Sequence, residues 1–233
     1  MEVIAKPANI AVEQSKKAGN ALFIINQDKM YRPEKYRKDE NAFFYEFIKK
    51  HPFATLVMNG QRLLATHIPV LPKGSATDFL LFSHMANHNE QQQYLKEGAD
   101  ALIIFQGPHA YVSASWYREK DISTWDYSAV HVNAKIRIQS REELELSLKE
   151  LVAFFEKGEE KPLFYDEIPA KMLADHLPLI TGFWLQPVKI EGISKHHQSY
   201  HPEDVNRVMD QLRKRGNGGD SQFADDLAKT HNL

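Results

Sequence analysis

Cysteine is absent from all 233 residues, which excludes disulfides, thiolate metal sites and cysteine nucleophiles. That composition suits a reducing compartment, and a cytoplasmic location is the expectation. Long apolar runs are missing too: none exceeds about five residues, where a membrane-spanning helix needs roughly 20. Met1–Asn20 lacks an apolar stretch beside a basic flank, so no secretory signal is expected. Neither charge sign dominates. The formal net charge of −2 gives no overall basic field for nucleic acid or an anionic membrane. The 11 glycines never fall as GxGxxG or GxxxxGK, and GxSxG is missing, which argues against a Rossmann site, a P-loop and a nucleophile elbow.

What is present reads as an ordinary globular chain, 42% apolar and 26% charged, long enough to bury a core without staples. Two apolar runs frame its middle. Ala101–Phe105 reads as a buried strand. Ala129–Ile138 alternates, with Val130, Val132, Ala134, Ile136 and Ile138 on one face and His131, Asn133, Lys135 and Arg137 on the other. Between them, Gln106-Gly107-Pro108-His109 reads as a turn. The connection then holds Trp116, Tyr117, Trp125 and Tyr127 beside hydroxyls and amides, a surface expected to stack on something flat.

In chain order, Ala21–Ile25 reads as an edge strand or latch in a loosely packed N-terminal tail. Phe43, Phe44, Phe47 and Ile48 predict a helix over Asn41–Lys50, capped by Asp39 or Asn41. Pro52–Met58 and Gln61–Val70 read as a hairpin about Asn59-Gly60. Leu71–Asp78 reads as a turn, Phe79–Phe82 as a third strand, and Glu90–Lys96 as a polar helix ended by Gly98. Ser140 and Glu143 spell a capping box for a helix to Glu156, with Leu144, Leu148, Leu151 and Phe155 as its buried stripe. A short helix over Leu173–Leu179 leads to a sixth strand, Ile180–Ile193, with Pro187 at a bulge or edge. Glu203–Arg215 and Gln222–Leu233 read as closing helices. About six strands joined by hairpins favour an antiparallel barrel, so the expected fold is mainly β with flanking helices. The expected organisation is an extension over 1–29, a barrel domain over 30–195 and a helical segment over 196–233.

The 11 histidines invite a metal reading, but no local spacing supplies three or four convergent ligands, so no metal is expected. His109 and His131 read as hydrogen-bonded rim histidines. No catalytic carboxylate pair stands out, and catalytic residues stay unassigned; Asp121 and Asp126 fit a solvated loop face. Trp116 and Trp125 fit core or dimer-interface aromatics better than ligand platforms. Arg207, Arg213, Lys214 and Arg215 fit a helix end complementing its dipole rather than DNA contact. Polar positions nevertheless gather at three strand ends: Thr66-His67, Ser83–Asn89 and Gln106–Tyr127. Such a pocket suits a planar heterocycle bearing a phosphate.

Those segments carry a resemblance. PFATLVM (Pro52–Met58), ATHIPV (Ala65–Val70), FSHMANHN (Phe82–Asn89), IFQGPHAYVSASWY (Ile104–Tyr117) and TWDYSAVHV (Thr124–Val132) resemble the PaiB-type family of FMN-binding negative transcriptional regulators. The resemblance runs from Met30 to about Gly192. It implies a split β-barrel of the flavin-reductase and pyridoxamine-phosphate-oxidase kind, forming a homodimer with FMN at the interface. On matched positions it implies Thr66, His67, Ile68 and Pro69 along the flavin. Ser83, His84, Met85 and Ala86, with Asn87 and Asn89, fall at the phosphate end. Gln106, with Trp116, Trp125 and Tyr127, would close over it from above or across the interface. This chain departs where the family commonly has Arg (Asn87), Pro (Glu90), Pro (Ala114) and Ser-Gln-Asn (His197-Gln198-Ser199). Losing the cation beside a dianionic phosphate costs on the order of 1–3 kcal/mol unless another base replaces it.

Three functions follow as expectations. The favoured one is an FMN-binding protein of the regulator family, whose contact with DNA no sequence feature supports. The alternative is an FMN-dependent oxidoreductase, a flavin or small-molecule reductase without a DNA role. The third is a dimer that binds nothing tightly.

Overall fold

Period-two apolar patterning builds a single eight-stranded antiparallel sheet in the computed structural model, which describes residues 30–233. The Ala21–Ile25 run lies outside the described residues. The strands are β1 (Arg37–Lys38), β2 (Phe53–Asn59), β3 (Leu63–Pro69), β4 (Leu71–Ser75), β5 (Asp78–Ala86), β6 (Asp100–Val112), β7 (Thr124–Ile138) and β8 (Ile180–Lys195). The helices are α1 (Asn41–Lys50), α2 (Arg141–Glu156), α3 (Ala170–His176), α4 (Pro202–Arg215) and α5 (Asp220–His231). The strand order is β3-β2-β6-β7-β8-β5-β4, with β1 beside β8, and no ladder joins the two ends. The sheet curls without closing, the architecture of a split barrel.

Alternate residues fill the interior. Leu56, Ile103, Val130, Val132, Ile136, Phe183 and Leu185 are almost wholly buried, and α1 covers them with Phe44, Phe47 and Ile48. The α1 helix forms where the phenylalanine stripe dictates, but the preceding residue, Glu40, is its N-cap and makes no side-chain bond. At the far end of β6, Val205, Val208 and Leu212 of α4 and Phe223 and Leu227 of α5 pack on Ala110, Val112 and Tyr117 as a second core. The capping box on α2 is formed: Glu143 N–H donates to Ser140 Oγ at 3.2 Å and Ser140 N–H to Glu143 Oε2 at 2.9 Å. Its buried face differs from the expected stripe. Phe155 is exposed, and Ser147 takes a buried slot by accepting from Gln139 Nε2 at 2.8 Å.

Other readings need correction. The Gln106–His109 segment is a β-bulge inside one long strand, β6, so Trp125 and Tyr127 lie on its partner β7 rather than in a loop. Leu71–Asp78 is not a turn; Leu71–Ser75 pairs with β5 from Leu71↔Phe82 to Ser75↔Asp78. Its Lys-Gly-Ser-Ala-Thr composition mimics turn chemistry, and Gly74, at φ +118°, is required because a Cβ there would lie 2.4 Å from the Asp78 carbonyl. Glu90–Tyr94 forms a 3-10 turn instead of a helix to Lys96. Pro187 does sit at a register shift, opposite Ala134.

Candidate functional site

The open margin of the barrel brings β3 and β5 together through side chains rather than a ladder. Alternation on β5 aims Leu81, Ser83 and Met85 at the interior, so the one hydroxyl among them needs a partner. Ser83 Oγ donates to the Pro69 carbonyl on β3 at 2.7 Å. One strand end further, Asn89 Nδ2 donates to Thr66 Oγ1 at 3.0 Å, while its Oδ1 accepts from Gln91 N at 2.9 Å. Gln91 is buried and its amide bridges the carbonyls of Leu56 (3.2 Å) and Leu64 (3.1 Å), which anchors the 3-10 turn to the β2–β3 hairpin.

Two of the three expected clusters therefore meet where β3 and the end of β5 approach. Their side chains divide by face. Ile68 and Met85 are core residues and offer a ligand only their backbone. His67 points outward, its Nδ1 3.0 Å from Thr55 Oγ1 and its ring beside Phe53. Burial pushes the His84 imidazole down from its ordinary value, which favours the neutral form. Asn87 is spent on structure: its Nδ2 donates to the Pro178 carbonyl at 2.9 Å and its Oδ1 accepts from Thr181 Oγ1 at 2.6 Å. Glu90 is paired with Arg62 of the β2–β3 hairpin at 2.5 Å, so its charge is already answered.

The third cluster stands apart. Among the described residues no side-chain hydrogen bond or ring contact joins Gln106–Tyr127 to the other two. Gln106 is exposed on β6. Trp125 is half-exposed, donating its indole N–H to His109 Nδ1 at 3.1 Å beside Tyr111. Burial raises the Tyr127 phenol. Trp116 instead packs on the C-terminal helices under Arg215, 5.1 Å from its guanidinium.

The outer face of the sheet runs across β3, β2, β6, β7 and β8. Strand register lines up His67, Thr55, Ile104, His131 and Glu191 across five strands, with Ala65, Val57 and Leu102 in the next row. Phe53 (69% exposed) and Leu63 (74%) stand at its β2–β3 margin.

Sequence reading missed a buried network behind the aromatic loop. Tyr117 Oη lies 2.8 Å from His197 Nε2, and His197 Nδ1 bonds Asp126, whose second oxygen is 3.2 Å from Lys195 Nζ. Asp126 fixes the imidazole proton on Nδ1, so Nε2 accepts from the phenol. His197 holds a left-handed φ of 58°, an uncommon backbone state for a non-glycine residue. Burial, then Tyr200, pushes the Tyr117 phenol up. The sequence signal there was the departure from Ser-Gln-Asn at His197-Gln198-Ser199. No group of three metal-type ligands gathers among the described residues, and no described helix is long and apolar enough to cross a membrane.

Comparison with known proteins identifies the family. The family model described as "Putative FMN-binding domain" matches residues 30–189. Protease synthase and sporulation protein PAI 2 of Bacillus subtilis is 30% identical over 197 residues, 84% of this chain and 95% of that protein. An uncharacterized protein of Saccharomyces cerevisiae is 27% identical over 157 residues, covering 57% and 92%. Among solved structures, the FAD and heme binding protein of Mycobacterium smegmatis superposes with a TM-score of 0.54 at 15% identity, covering 73% of this chain and 79% of that one. A conserved hypothetical protein of Mycobacterium tuberculosis gives 0.53 at 10% identity, covering 74% and 94%. At such identities the structural likeness speaks for the fold alone.

Proposed function

Because the chain belongs to this FMN-binding, PaiB-type family, we propose that its cleft between β3 and β5 holds FMN, as a homodimer with the flavin at the subunit interface. The observation that carries the reading is the convergence of Thr66–Pro69 with Ser83–Asn89 through the Ser83–Pro69 and Asn89–Thr66 bonds. Hydroxyls, an amide and strand-end backbone suit a phosphate and ribityl chain, and Arg62 is the nearby cation in place of the family's arginine. FMN, when bound, supplies hydride or electron chemistry; the protein contributes orientation and a dry wall.

A second copy covers the outer face of β2, β3 and β6, where Phe53, Val57, Leu63 and Ile104 leave apolar surface. Gln106, Trp125 and Tyr127 then act on the flavin across the interface, which accounts for their separation from the cleft of their own chain. The division into 1–29, 30–195 and 196–233 belongs to the same proposal, as does a cytoplasmic location. A regulatory output is the reading for the protein as a whole. The alternative, an oxidoreductase, is separated from it by the oxidation of a nicotinamide hydride donor. Base reading by α4 is disfavoured, because Arg213 and Arg215 of its basic end are already paired with Asp225 and Asp220. The test is FMN titration of the purified protein, wild type against Thr66→Val.

A further inference from the structure

A larger cavity, of about 630 Å³, lies on the other side of the β5 end, walled by α2, α3 and the start of β8. Leu148, Val152, Ile168, Leu173, Leu177 and Ile180 make most of its surface, and no Lys, Arg, Asp or Glu lines it. The cavities of about 300 Å³ under α1 and about 360 Å³ beside Tyr200 are each lined by several charged side chains. A space of this size and chemistry matches small-molecule pockets, which are mostly apolar with a few placed polar groups. It offers a flavin phosphate no cation.

The polar groups on its wall select the ligand further. Asn87 has both amide atoms engaged, with Pro178 and Thr181. His176 Nδ1 lies 2.8 Å from the Met172 carbonyl, which only accepts, so Nδ1 carries a ring proton. His176 lines the cavity, and with the proton on Nδ1 its Nε2 serves as an acceptor; Tyr165 Oη, buried without a hydrogen-bond partner among the described residues, is another polar group of the wall. We propose that this cavity binds an uncharged, largely apolar small molecule that presents one hydroxyl or N–H donor to Nε2 of His176. The cavity shares Ala86, Asn87 and His88 with the phosphate-end segment, so its occupant lies next to the flavin segment. The site does not depend on FMN being bound.

Two fluorescent probes with the same ring system test it on the full-length protein: 2-naphthol, which carries the donor, and 2-methoxynaphthalene, in which a methyl group replaces the donor hydrogen. Saturable binding of 2-naphthol is expected, with the methoxy probe about five- to tenfold weaker for one lost hydrogen bond. Leu148→Trp fills the cavity from α2 and Leu173→Trp from α3. Either abolishes binding of both probes while FMN affinity is unchanged, so failure here is distinct from failure of the flavin reading. His176→Leu brings the two probes to parity. Binding that survives both filled variants overturns the proposal, as does an absence of saturable binding. Strict competition between 2-naphthol and FMN overturns it too, since the cavity is then the flavin's own.

Discussion

Asn89, just past the end of β5, donates its amide to the Thr66 hydroxyl on β3 across 3.0 Å. The two strands belong to opposite ends of the sheet path, so this bond and the Ser83–Pro69 bond stand where a ladder would close a full barrel. Closure by side chains leaves backbone groups of both strand ends free to meet a ligand.

Thr66→Val keeps the shape and removes the hydroxyl that Asn89 meets. Loss of one such hydrogen bond and of its positioning weakens FMN binding about tenfold, with the thermal midpoint lowered by a few degrees at most. Flavin fluorescence quenching and calorimetric melting read the two effects separately.

Glu90 holds Arg62 in an exposed pair. Glu90→Gln releases that guanidinium and removes a negative charge near a dianionic phosphate, so FMN affinity rises several-fold. The gain shrinks as salt is raised, because both groups are solvent-exposed and screened. Titrations at low and high ionic strength measure it.

Much of this was legible beforehand. The phenylalanine spacing placed α1 residue for residue, Ser140 and Glu143 placed the start of α2, and Asn59-Gly60 placed the first hairpin. The strands were harder where local chemistry pointed the wrong way. Gly74 reads as a turn but serves an edge strand, and Gly107-Pro108 reads as a turn but forms a bulge, because long-range pairing with β5 and β7 overrides local preference. At the site, the resemblance named the segments, and the structure joined two of the three. The Tyr117–His197–Asp126 network was illegible, since its members are 9 and 71 residues apart along the chain and only the fold brings them together.

That network gives a stability prediction. His197→Ala leaves the buried Asp126 carboxylate with Lys195 as its remaining partner and removes the phenol's acceptor, which costs about 2–4 kcal/mol. Relief of the left-handed backbone is small beside this. Urea denaturation of the variant shows the loss as a lower midpoint with an unchanged slope.

Arg137, then the Ser140 backbone N–H, holds the Glu143 carboxyl down to about 2. A carboxyl depressed by folding contributes stability that is present above its unfolded value and is lost as pH falls towards its folded one. Stability therefore declines between the usual carboxylate range and about pH 2. Glu143→Gln flattens this part of the profile while lowering stability at neutral pH. Denaturation midpoints across acid pH check both arms.

Phe53→Asp places a charge on the apolar outer face at β2, and the account expects a shift from dimer to monomer in sedimentation velocity. FMN affinity falls with it, because the partner's wall is removed.

The central claim is that the β3–β5 cleft holds FMN, and the most direct test is flavin fluorescence titration of the apoprotein. Saturable quenching at one flavin per chain with a Kd below about 10 µM is expected, weakened by Thr66→Val and by Asn89→Ala. No quenching at tens of micromolar, or quenching indifferent to both substitutions, contradicts it.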